Sequence, residues 1–221
     1  MSGPLHVVAI DGPSGAGKST VARGVATALG LAVLDTGAMY RAVTFAALDR
    51  DVPLADETAC ATLAEDLDIE VNDRIRVDGC DVTVEIRGPE VTTAVSVVSA
   101  HPAVRRELVR RQREWVALHG GGVVEGRDIG TVVFPDAPVK VFLTASDDER
   151  ARRRQHDEEG ASRAVGLEQV RESLTVRDRL DSTRTTSPLQ QAEDALVIDT
   201  TTMTADEAIA QVVARAEGAF T

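Results

Sequence analysis

The chain has 221 residues, of which 43% are hydrophobic, enough to bury a full core as an ordinary globular protein does. Its formal net charge of −12 argues against binding to a nucleic-acid backbone or to an anionic membrane. Aromatic residues make up only 3% of the chain, which argues against a base-stacking nucleic-acid platform. Any anionic substrate must therefore be held by local clusters of arginine.

The composition also bears on location and on metal sites. No apolar stretch is long enough to span a bilayer, and residues 1–6 lack the charged and hydrophobic parts of a signal peptide. We therefore expect a cytoplasmic protein. Cys60 and Cys80 form no CxxC pattern, and the four histidines are scattered, so we assign none of them a metal-binding or catalytic role.

The first predicted elements are a strand, a glycine-rich loop and a helix. Residues 7–10 (VVAI) are an apolar, mostly β-branched run typical of a buried strand, and Val21, Val25 and Leu29 recur at helical spacing. Between them, residues 12–19 read GPSGAGKS, which matches the GxxxxGKS phosphate-binding loop. Strand, loop and helix together are the context that this motif requires.

Each residue type in the loop suits an anionic ligand. Glycine has no Cβ, so the backbone can approach a ligand closely, and the amide N–H groups and the helix dipole form an anion cradle. Lys18 offers an ammonium group to the β- and γ-phosphates, and the Ser19 hydroxyl is an oxygen ligand for Mg²⁺. The predicted nucleotide-binding residues of the loop are Gly12, Pro13, Ser14, Gly15, Ala16, Gly17, Lys18, Ser19 and Thr20.

A second apolar run, residues 31–34, predicts a short strand that leads into another helix. The order strand, helix, strand implies a parallel α/β sheet, whose ligands sit at the carboxyl ends of its strands. This places Thr36, Tyr40 and Arg41 on the same rim as the phosphate loop. Asp35 and Thr36 fit a helix cap as well as a ligand role, whereas Arg41 has the stronger claim to a ligand.

Between residues 68 and 88 the hydrophobic period changes to two. Turn-forming pairs, among them Asp78-Gly79, separate the apolar runs, which predicts a small antiparallel meander standing off the core. The three runs are Ile69 with Val71, Ile75 with Val77, and Val82 with Val84 and Ile86.

The remaining elements continue the α/β pattern. Pro102 opens a helix in which Val104, Leu108, Trp115 and Leu118 form an apolar stripe, while the arginines of its other faces fit a solvated basic surface. Further strands are predicted at Val123–Val124, Val139–Leu143 and Ala195–Ile198, and the first of them breaks into the charged loop EGRDIG.

Residues 147–188 are the most charged region of the chain and predict a helical pair. A solvated surface is one interpretation of it. In an acidic protein with a phosphate loop, its arginines also suit a lid that closes over phosphoryl transfer.

A phosphate loop alone does not separate a hydrolase, a switch GTPase and a kinase. The chain has no guanine-reading NKxD stretch and no helicase-like motif series, but it adds arginines at the rim of the strands and in the candidate lid. Two phosphate sites facing each other imply a small phosphorylated acceptor.

With these motifs the chain resembles the bacterial cytidylate kinase family, a branch of the nucleoside monophosphate kinases. The matching segments span nearly the whole chain. The phosphate loop marks only a superfamily, whereas GRDIGTVVFPDA together with DTGAMYR is specific to a much smaller group of proteins. The matching segments are IDGPSGAGKST, LDTGAMYR, VRRELVRRQR, EGRDIGTVVFPDAPVKVFL and RDRLDSTRTTSPL.

The resemblance implies a P-loop NTPase-type parallel sheet flanked by helices, with a small antiparallel β insert and a helical lid. It divides the chain into a kinase core of residues 1–60 and 101–221, a lid at about residues 148–170, and a monophosphate-binding insert of residues 61–100. It implies transfer of the γ-phosphoryl group of ATP to CMP or dCMP with Mg²⁺. We expect a monomer whose partners are these small nucleotides and not nucleic acid or a membrane.

The resemblance also implies roles for individual side chains. Ser96, Arg105 and Asp128 would read cytosine, whose exocyclic amine donates to a carboxylate. Lys18, Arg127 and Arg184 would be catalytic. Arg41, Arg127 and Arg184 would hold the acceptor phosphate, and Arg177 and Asp181 would bind the ribose. Thr36 and Tyr40 would line the pocket. Arg153 or Arg154 would contact the donor nucleotide.

Two positions depart from the family pattern, because Thr36 stands where many relatives have Ser, and Glu125 where some have Asp. The expected acceptor oxygen is already anionic at neutral pH, so no general base is needed. The alternatives are a P-loop kinase for another nucleoside monophosphate or a small metabolite, and a nucleotide-sensing module without turnover.

Overall fold

The structure, a computed structural model, describes residues 6–160 and 166–220, with the side chains of residues 6–157 and 166–220. The chain divides into two compact units, one of residues 1–32 and 121–221 and the other of residues 33–120. The second unit is larger than the predicted insert at 61–100, and the predicted domain division stays a prediction. Residues 161–165 of the predicted lid lie outside the described residues.

The described residues form eight strands and eight α-helices. The strands are β1 (His6–Asp11), β2 (Val33–Asp35), β3 (Ile69–Val71), β4 (Ile75–Val77), β5 (Cys80–Asp81), β6 (Gly121–Gly126), β7 (Val139–Thr144) and β8 (Leu196–Asp199). The α-helices are α1 (Lys18–Leu29), α2 (Thr36–Asp49), α3 (Glu57–Asp66), α4 (Pro89–Val98), α5 (Pro102–His119), α6 (Asp147–Gly160), α7 (Leu167–Thr183) and α8 (Ala205–Ala219). Glu85–Arg87 form a 3₁₀ turn and Ile129–Val133 a π-helical turn.

The first unit is organised on parallel strands in the order β6-β1-β7-β8, and β2 is counted as the fifth strand of this sheet. Helices of this unit pack on the sheet and bury the central strands, which explains their nearly continuous apolar sequence. Residues 7–10 of β1 and all of β6 are buried. In the register of β1 with β6, Asp11 pairs with Gly126. The phosphate loop and the Arg127–Asp128 segment therefore leave the sheet at the same edge.

Helices α1 and α8 pack closely in the first unit. A Cβ on Gly24 would lie 2.2 Å from Cδ1 of Ile209, so the absence of a side chain at Gly24 allows this approach. Helix α8 begins with a capping box in which Thr204 and Glu207 satisfy each other's backbone N–H groups.

Among the described residues, no helix is both long enough and apolar enough to cross a membrane.

The charged region forms α6 and α7, as predicted, and the two helices pack through Ala151, Val170 and Leu174. The predicted fold class is confirmed by the five-stranded parallel sheet with its helices and by a separate three-stranded antiparallel sheet.

The small sheet of the second unit has the order β3-β4-β5. Asp78 and Gly79, with φ of 49° and 78°, form the predicted turn between β4 and β5. The predicted third strand through Ile86 is wrong, because β5 ends at Asp81. There the carboxylate of Asp81 accepts the amide and hydroxyl of Thr83 at 3.1 and 2.6 Å. The hydroxyl of Thr83 also accepts the amide of Ile75, so a side chain replaces the ladder and the chain turns into the 3₁₀ segment.

Helix α5 runs where it was predicted, but its buried stripe differs. Val104 and Leu108 are buried, and the stripe continues through Gln112 and Val116 at four-residue spacing. The prediction for Leu118 is wrong, since this side chain is 85% exposed. The reason is that Leu118 lies half a turn beyond Val116, away from the buried stripe.

Candidate active site

The phosphate loop joins β1 to α1 in the first unit, and two of its glycines are required by the space around them. Gly12 has φ of 150°, and a Cβ there would lie 2.1 Å from the carbonyl oxygen of Leu143 in β7. Gly15 has φ of 80°, and a Cβ there would lie 2.9 Å from the carbonyl oxygen of Arg150. Both are left-handed or similarly restricted conformations that favour glycine.

Lys18 is buried at the first position of α1, and its Nζ donates to the carbonyl oxygen of Pro13 at 2.8 Å. Burial, followed by the charge of Arg127, lowers the pKa of Lys18 to about 7, although the carboxylate of Glu125 opposes this shift. A buried ammonium group among guanidinium groups is stabilised by an added anion. The environment of Lys18 is therefore suited to a polyphosphate ligand.

Ser19 and Glu125 place two oxygen atoms that can bind a metal ion next to each other at the edge of the sheet. The Ser19 hydroxyl donates to Oε2 of Glu125 at 3.0 Å, and Glu125 is buried at the end of β6. A hydroxyl next to a carboxylate offers the hard oxygen ligands that Mg²⁺ prefers, so these residues fit the expected metal ion. The sequence predicted only Ser19 as a ligand, and a carboxylate closing a buried strand was the signal for Glu125.

A cluster of guanidinium groups surrounds one carboxylate in the same unit. Nε of Arg127 donates to Oδ2 of Asp181 at 2.8 Å, and Nη1 of Arg184 lies 3.9 Å from its Oδ1. Nε of Arg184 donates to the carbonyl oxygen of Ser187 at 2.7 Å. Burial and the neighbouring Arg127 lower the pKa of Arg177 to about 10. Positive charge therefore exceeds negative charge here.

Asp181 is buried, which alone would raise its pKa, but the charges of Arg127 and Arg177 outweigh burial and hold the pKa below its usual value. Asp181 is therefore ionised at neutral pH, and it orients Arg127 by accepting the hydrogen bond from the Nε of that arginine. The opposite edge of Arg127 makes one long hydrogen bond, 3.4 Å from Nη1 to the carbonyl oxygen of Gly126. That edge has the planar fork that binds two phosphate oxygens.

Asp128 is buried at the start of the π-helical turn, where its carbonyl oxygen accepts the amides of Val132 and Val133 at 2.9 and 3.1 Å. The first amides of this turn, those of Ile129 and Gly130, donate to the carboxylate of Asp11 at 2.8 and 2.7 Å. Asp11, which lies in β1, thus caps the N-terminus of this turn.

Sequence reasoning missed Asp11, the last residue of β1. Burial is the main cause that raises its pKa to about 6, the two backbone hydrogen bonds oppose the rise, and the negative charge of Asp128 adds to it. An acidic residue ending a buried apolar strand was the available signal.

In the second unit, the structure brings Tyr40 and Arg105 together and holds Arg41 beside α4. The guanidinium carbon of Arg105 lies 5.2 Å from the centroid of the Tyr40 ring. Nη1 of Arg41 donates to the carbonyl oxygen of Ile86 and to the hydroxyl of Thr92, both at 3.0 Å. Ser96 is half-buried on α4.

The choice of cap for α2 is settled by the structure. The carboxylate of Asp35 accepts the amide of Ala38 at 3.0 Å and caps the helix. Thr36 is the first residue of α2 and is buried, so its role in the pocket stays a prediction.

Arg153 and Arg154 lie on α6. Nε of Arg153 donates to Glu149 at 2.9 Å, and its two Nη atoms donate to the hydroxyl and carbonyl oxygens of Thr200 at 2.9 and 2.6 Å. Arg154 is half-buried on the same helix. A contact of either arginine with ATP stays a prediction.

Comparison with known proteins places the whole chain in one family. The family model described as cytidylate kinase matches residues 8–218. A Mycobacterium avium protein named cytidylate kinase is 52% identical over 208 residues, which cover 92% of this chain and 91% of that protein.

A longer relative and one solved structure complete the comparison. A Synechococcus protein named bifunctional pantoate ligase/cytidylate kinase is 51% identical over 215 residues. These cover 94% of this chain but only 40% of that protein, so the chain spans about two fifths of the length of that relative. An uncharacterised protein from Eubacterium ventriosum shares the fold, with a TM-score of 0.51 at 11% identity over 96% of this chain and 98% of that one.

The match to the family model and the identity with the Mycobacterium avium protein agree with the motifs and with the phosphate loop seen in the structure. The chain belongs to the cytidylate kinase family.

Proposed function

We propose that this protein transfers the γ-phosphoryl group of ATP to CMP, and also to dCMP, giving ADP and the nucleoside diphosphate. The observation that carries the proposal is the cluster of Arg127, Arg177 and Arg184 around Asp181, in the same unit as the phosphate loop. One unit thus supplies two groups of anion-binding donors, which is what a donor and an acceptor phosphate require.

On the donor side, the loop amides and Lys18 bind the phosphates of ATP. Lys18 is buried and its pKa is lowered to about 7, so the negative charge of the phosphates favours its protonated form. Ser19, with Glu125 behind it, would hold Mg²⁺, which when bound neutralises charge on the phosphates. Arg153 or Arg154 completes the predicted donor site.

On the acceptor side, Arg127 and Arg184 hold the phosphate of the monophosphate through their guanidinium groups, with Arg41 as a further ligand. Asp181 keeps Arg127 oriented before substrate binds, because it occupies the Nε edge. Positively charged donors that are already fixed stabilise the charge that develops during phosphoryl transfer. Arg177 and Asp181 are proposed to bind the ribose.

The base is read by groups that match cytosine. Asp128 accepts from its exocyclic amine, and Ser96 and Arg105 donate to its acceptor atoms. Uracil has a carbonyl oxygen in place of that amine, so a carboxylate at this position disfavours UMP.

No side chain is needed as a general base, because the attacking phosphate oxygen is already anionic. The protein brings two polyanions together and limits hydrolysis of ATP by excluding water. We assign the exclusion of water to the lid, about residues 148–170.

The direct test is a panel of CMP, dCMP, UMP, AMP and GMP, each with ATP and Mg²⁺, scored by release of ADP. We expect turnover with CMP and dCMP at kcat/KM values at least about tenfold above UMP. A preference for another monophosphate would replace the substrate assignment. Nucleotide binding without ADP release in any reaction would instead favour a sensing module.

A further inference from the structure

Two carbonyl groups of the phosphate loop are held from outside the loop by side chains far away in the sequence. The carbonyl oxygen of Ser14 accepts Nη1 of Arg150, on α6, at 3.1 Å. The carbonyl oxygen of Ala16 accepts the hydroxyl of Thr200, just after β8, at 3.2 Å. The function proposed above gives no role to Thr200, and it includes Arg150 only as part of the lid segment.

The direction of these carbonyl groups fixes the direction of two amides. In a trans peptide unit the C=O and the following N–H point to opposite sides, and the described chain contains no cis peptide bond. The amides of Gly15 and Gly17 therefore face away from Arg150 and Thr200. Within residues 6–160 and 166–220, neither amide has a hydrogen-bond partner, so both are available to an anion.

Arg150 is itself fixed in place. It is buried, its Nη2 donates to Asp147 at 2.6 Å, and its Nη1 also contacts the carboxylate of Asp178 on α7. Its main chain lies against Gly15, where a Cβ would be only 2.9 Å from the carbonyl oxygen of Arg150. Arg150 therefore cannot move without disturbing the loop or the contact between α6 and α7.

Thr200 is held with equal precision. Its amide donates to the carbonyl oxygen of Thr144 at 2.8 Å, and its hydroxyl lies within hydrogen-bond distance of two carbonyl oxygens, that of Thr144 at 3.1 Å and that of Ala16 at 3.2 Å. The hydroxyl oxygen accepts Nη1 of Arg153 at 2.9 Å. Because Arg153 occupies the acceptor side of the hydroxyl, it directs the hydrogen towards the carbonyl groups.

We propose that Arg150 and Thr200 are positioning residues for ATP. They hold the Ser14–Gly15 and Ala16–Gly17 peptide units so that the amides of Gly15 and Gly17 face the phosphates, and Arg153 acts through Thr200. This inference rests on the proposed binding of ATP phosphates by the loop. It accounts for the position of both side chains, which donate to carbonyl groups and leave the amides free.

Thr200→Val is the sharpest test, because it removes the hydroxyl with little change of shape. We expect KM for ATP to rise about fivefold, the effect of one hydrogen bond, while KM for CMP changes less than about twofold. Thr200→Ser, which keeps the hydroxyl, restores the wild-type KM. The matched control is Thr201→Val, since Thr201 bonds to Ser146 and Asp199 but not to the loop.

Arg150→Lys is the second test, with Arg152→Lys as its control on the exposed face of the same helix. A lysine cannot reach Ser14, Asp147 and Asp178 together in the geometry of a guanidinium group. We expect weaker binding of MgADP by calorimetry and altered NMR amide shifts of Gly15 and Gly17 only in the Arg150 variant.

Unchanged KM for ATP in Thr200→Val, or an equal rise of both KM values, would overturn the inference. Lys18→Ala separates it from the proposed function. If Lys18→Ala is inactive while Thr200→Val and Arg150→Lys behave as wild type, the positioning role alone fails. If Lys18→Ala stays active, ATP is not bound by this loop and the proposed function fails with it.

Discussion

Individual residues of the first unit carry an excess of positive charge into a buried site, although the chain as a whole has a net charge of −12. Burial lowers the pKa of Lys18, and the nearby charges of Arg127 and Arg177 lower it further. The protonated form of such a group is unfavourable without an anion nearby and is stabilised when an anion binds. Local arginines and one lysine can therefore form an anion site in an acidic protein.

The two lysines of the chain provide a matched experiment. Lys18→Ala removes the only ammonium group in the loop, so we expect turnover to fall by about a thousandfold or more with little change in melting temperature. Lys140→Ala should retain activity, because Nζ of Lys140 pairs with the exposed Asp194. Near-normal turnover in Lys18→Ala would contradict the assignment.

Asp128→Ala tests the reading of the base. Without the carboxylate, the preference in kcat/KM for CMP over UMP should fall by about tenfold or more, the effect of one lost base contact, while KM for ATP stays within about twofold. Asp56→Ala is a control, because Asp56 is a carboxylate that caps a helix elsewhere, accepting the amide of Ala59. An unchanged CMP/UMP ratio in Asp128→Ala would remove Asp128 from the base site.

Asp11 predicts a pH dependence of stability. Its pKa rises from 3.8 in the unfolded chain to about 6 in the folded one, so the unfolded state ionises first as pH increases. The free energy of unfolding of the wild type should therefore fall, relative to Asp11→Asn, by about 2 kcal/mol between pH 4 and pH 7. Urea titrations of both proteins at several pH values measure this difference. A constant difference would show that the pKa of Asp11 is not raised.

At the scale of elements, the loop depends on how closely β1 and β7 approach. Gly12→Ala would place Cβ 2.1 Å from a backbone oxygen of β7, and a backbone atom cannot yield as a side chain can. We expect a loss of several kcal/mol in stability, or no folded protein.

Gly30→Ala is the control for that experiment. Gly30 also has a positive φ, of 66°, but a Cβ there meets nothing within 4 Å, so only about 1 kcal/mol should be lost. Equal losses of unfolding free energy in the two variants would show that the contact with β7 is unimportant.

Elements whose signals are local were predictable from the sequence. The strand, loop and helix around residues 7–29 and the turn at Asp78-Gly79 depend on neighbouring residues and were found. The third strand of the meander was not, because the bonds of Thr83 to Asp81 and Ile75 outweigh an alternating pattern. The stripe of α5 was misjudged at its end, where tertiary burial favours Val116 over Leu118.

The residues missed at the site share one property, since each acts on a partner far away in the chain. Asp11 caps a turn 118 residues later, Arg150 bonds to a residue 136 positions earlier, and Thr200 to one 184 positions earlier. No local pattern predicts such pairs. The phosphate loop and the EGRDIG segment were found because their motifs are contiguous.

At the scale of the whole molecule, two compact units divide the proposed ligands between them. The first unit contains the loop, Asp128 and the arginine cluster, and the second contains Thr36, Tyr40, Arg41, Ser96 and Arg105. Phosphate binding in the first unit should therefore persist when the second is altered.

Arg105→Met should raise KM for CMP by about tenfold and leave the affinity for MgADP within about twofold, as measured by calorimetry. A parallel loss of MgADP binding would contradict this division of roles.

The central claim is that amides and Lys18 hold one polyanion while guanidinium groups hold the other. A crystal structure with Mg²⁺, a non-hydrolysable ATP analogue and CMP measures this directly. The account predicts the β- and γ-phosphates within hydrogen-bond distance of the Gly15 and Gly17 amides, and the CMP phosphate on the guanidinium groups of Arg127 and Arg184. A structure in which those guanidinium groups turn away from CMP would contradict it.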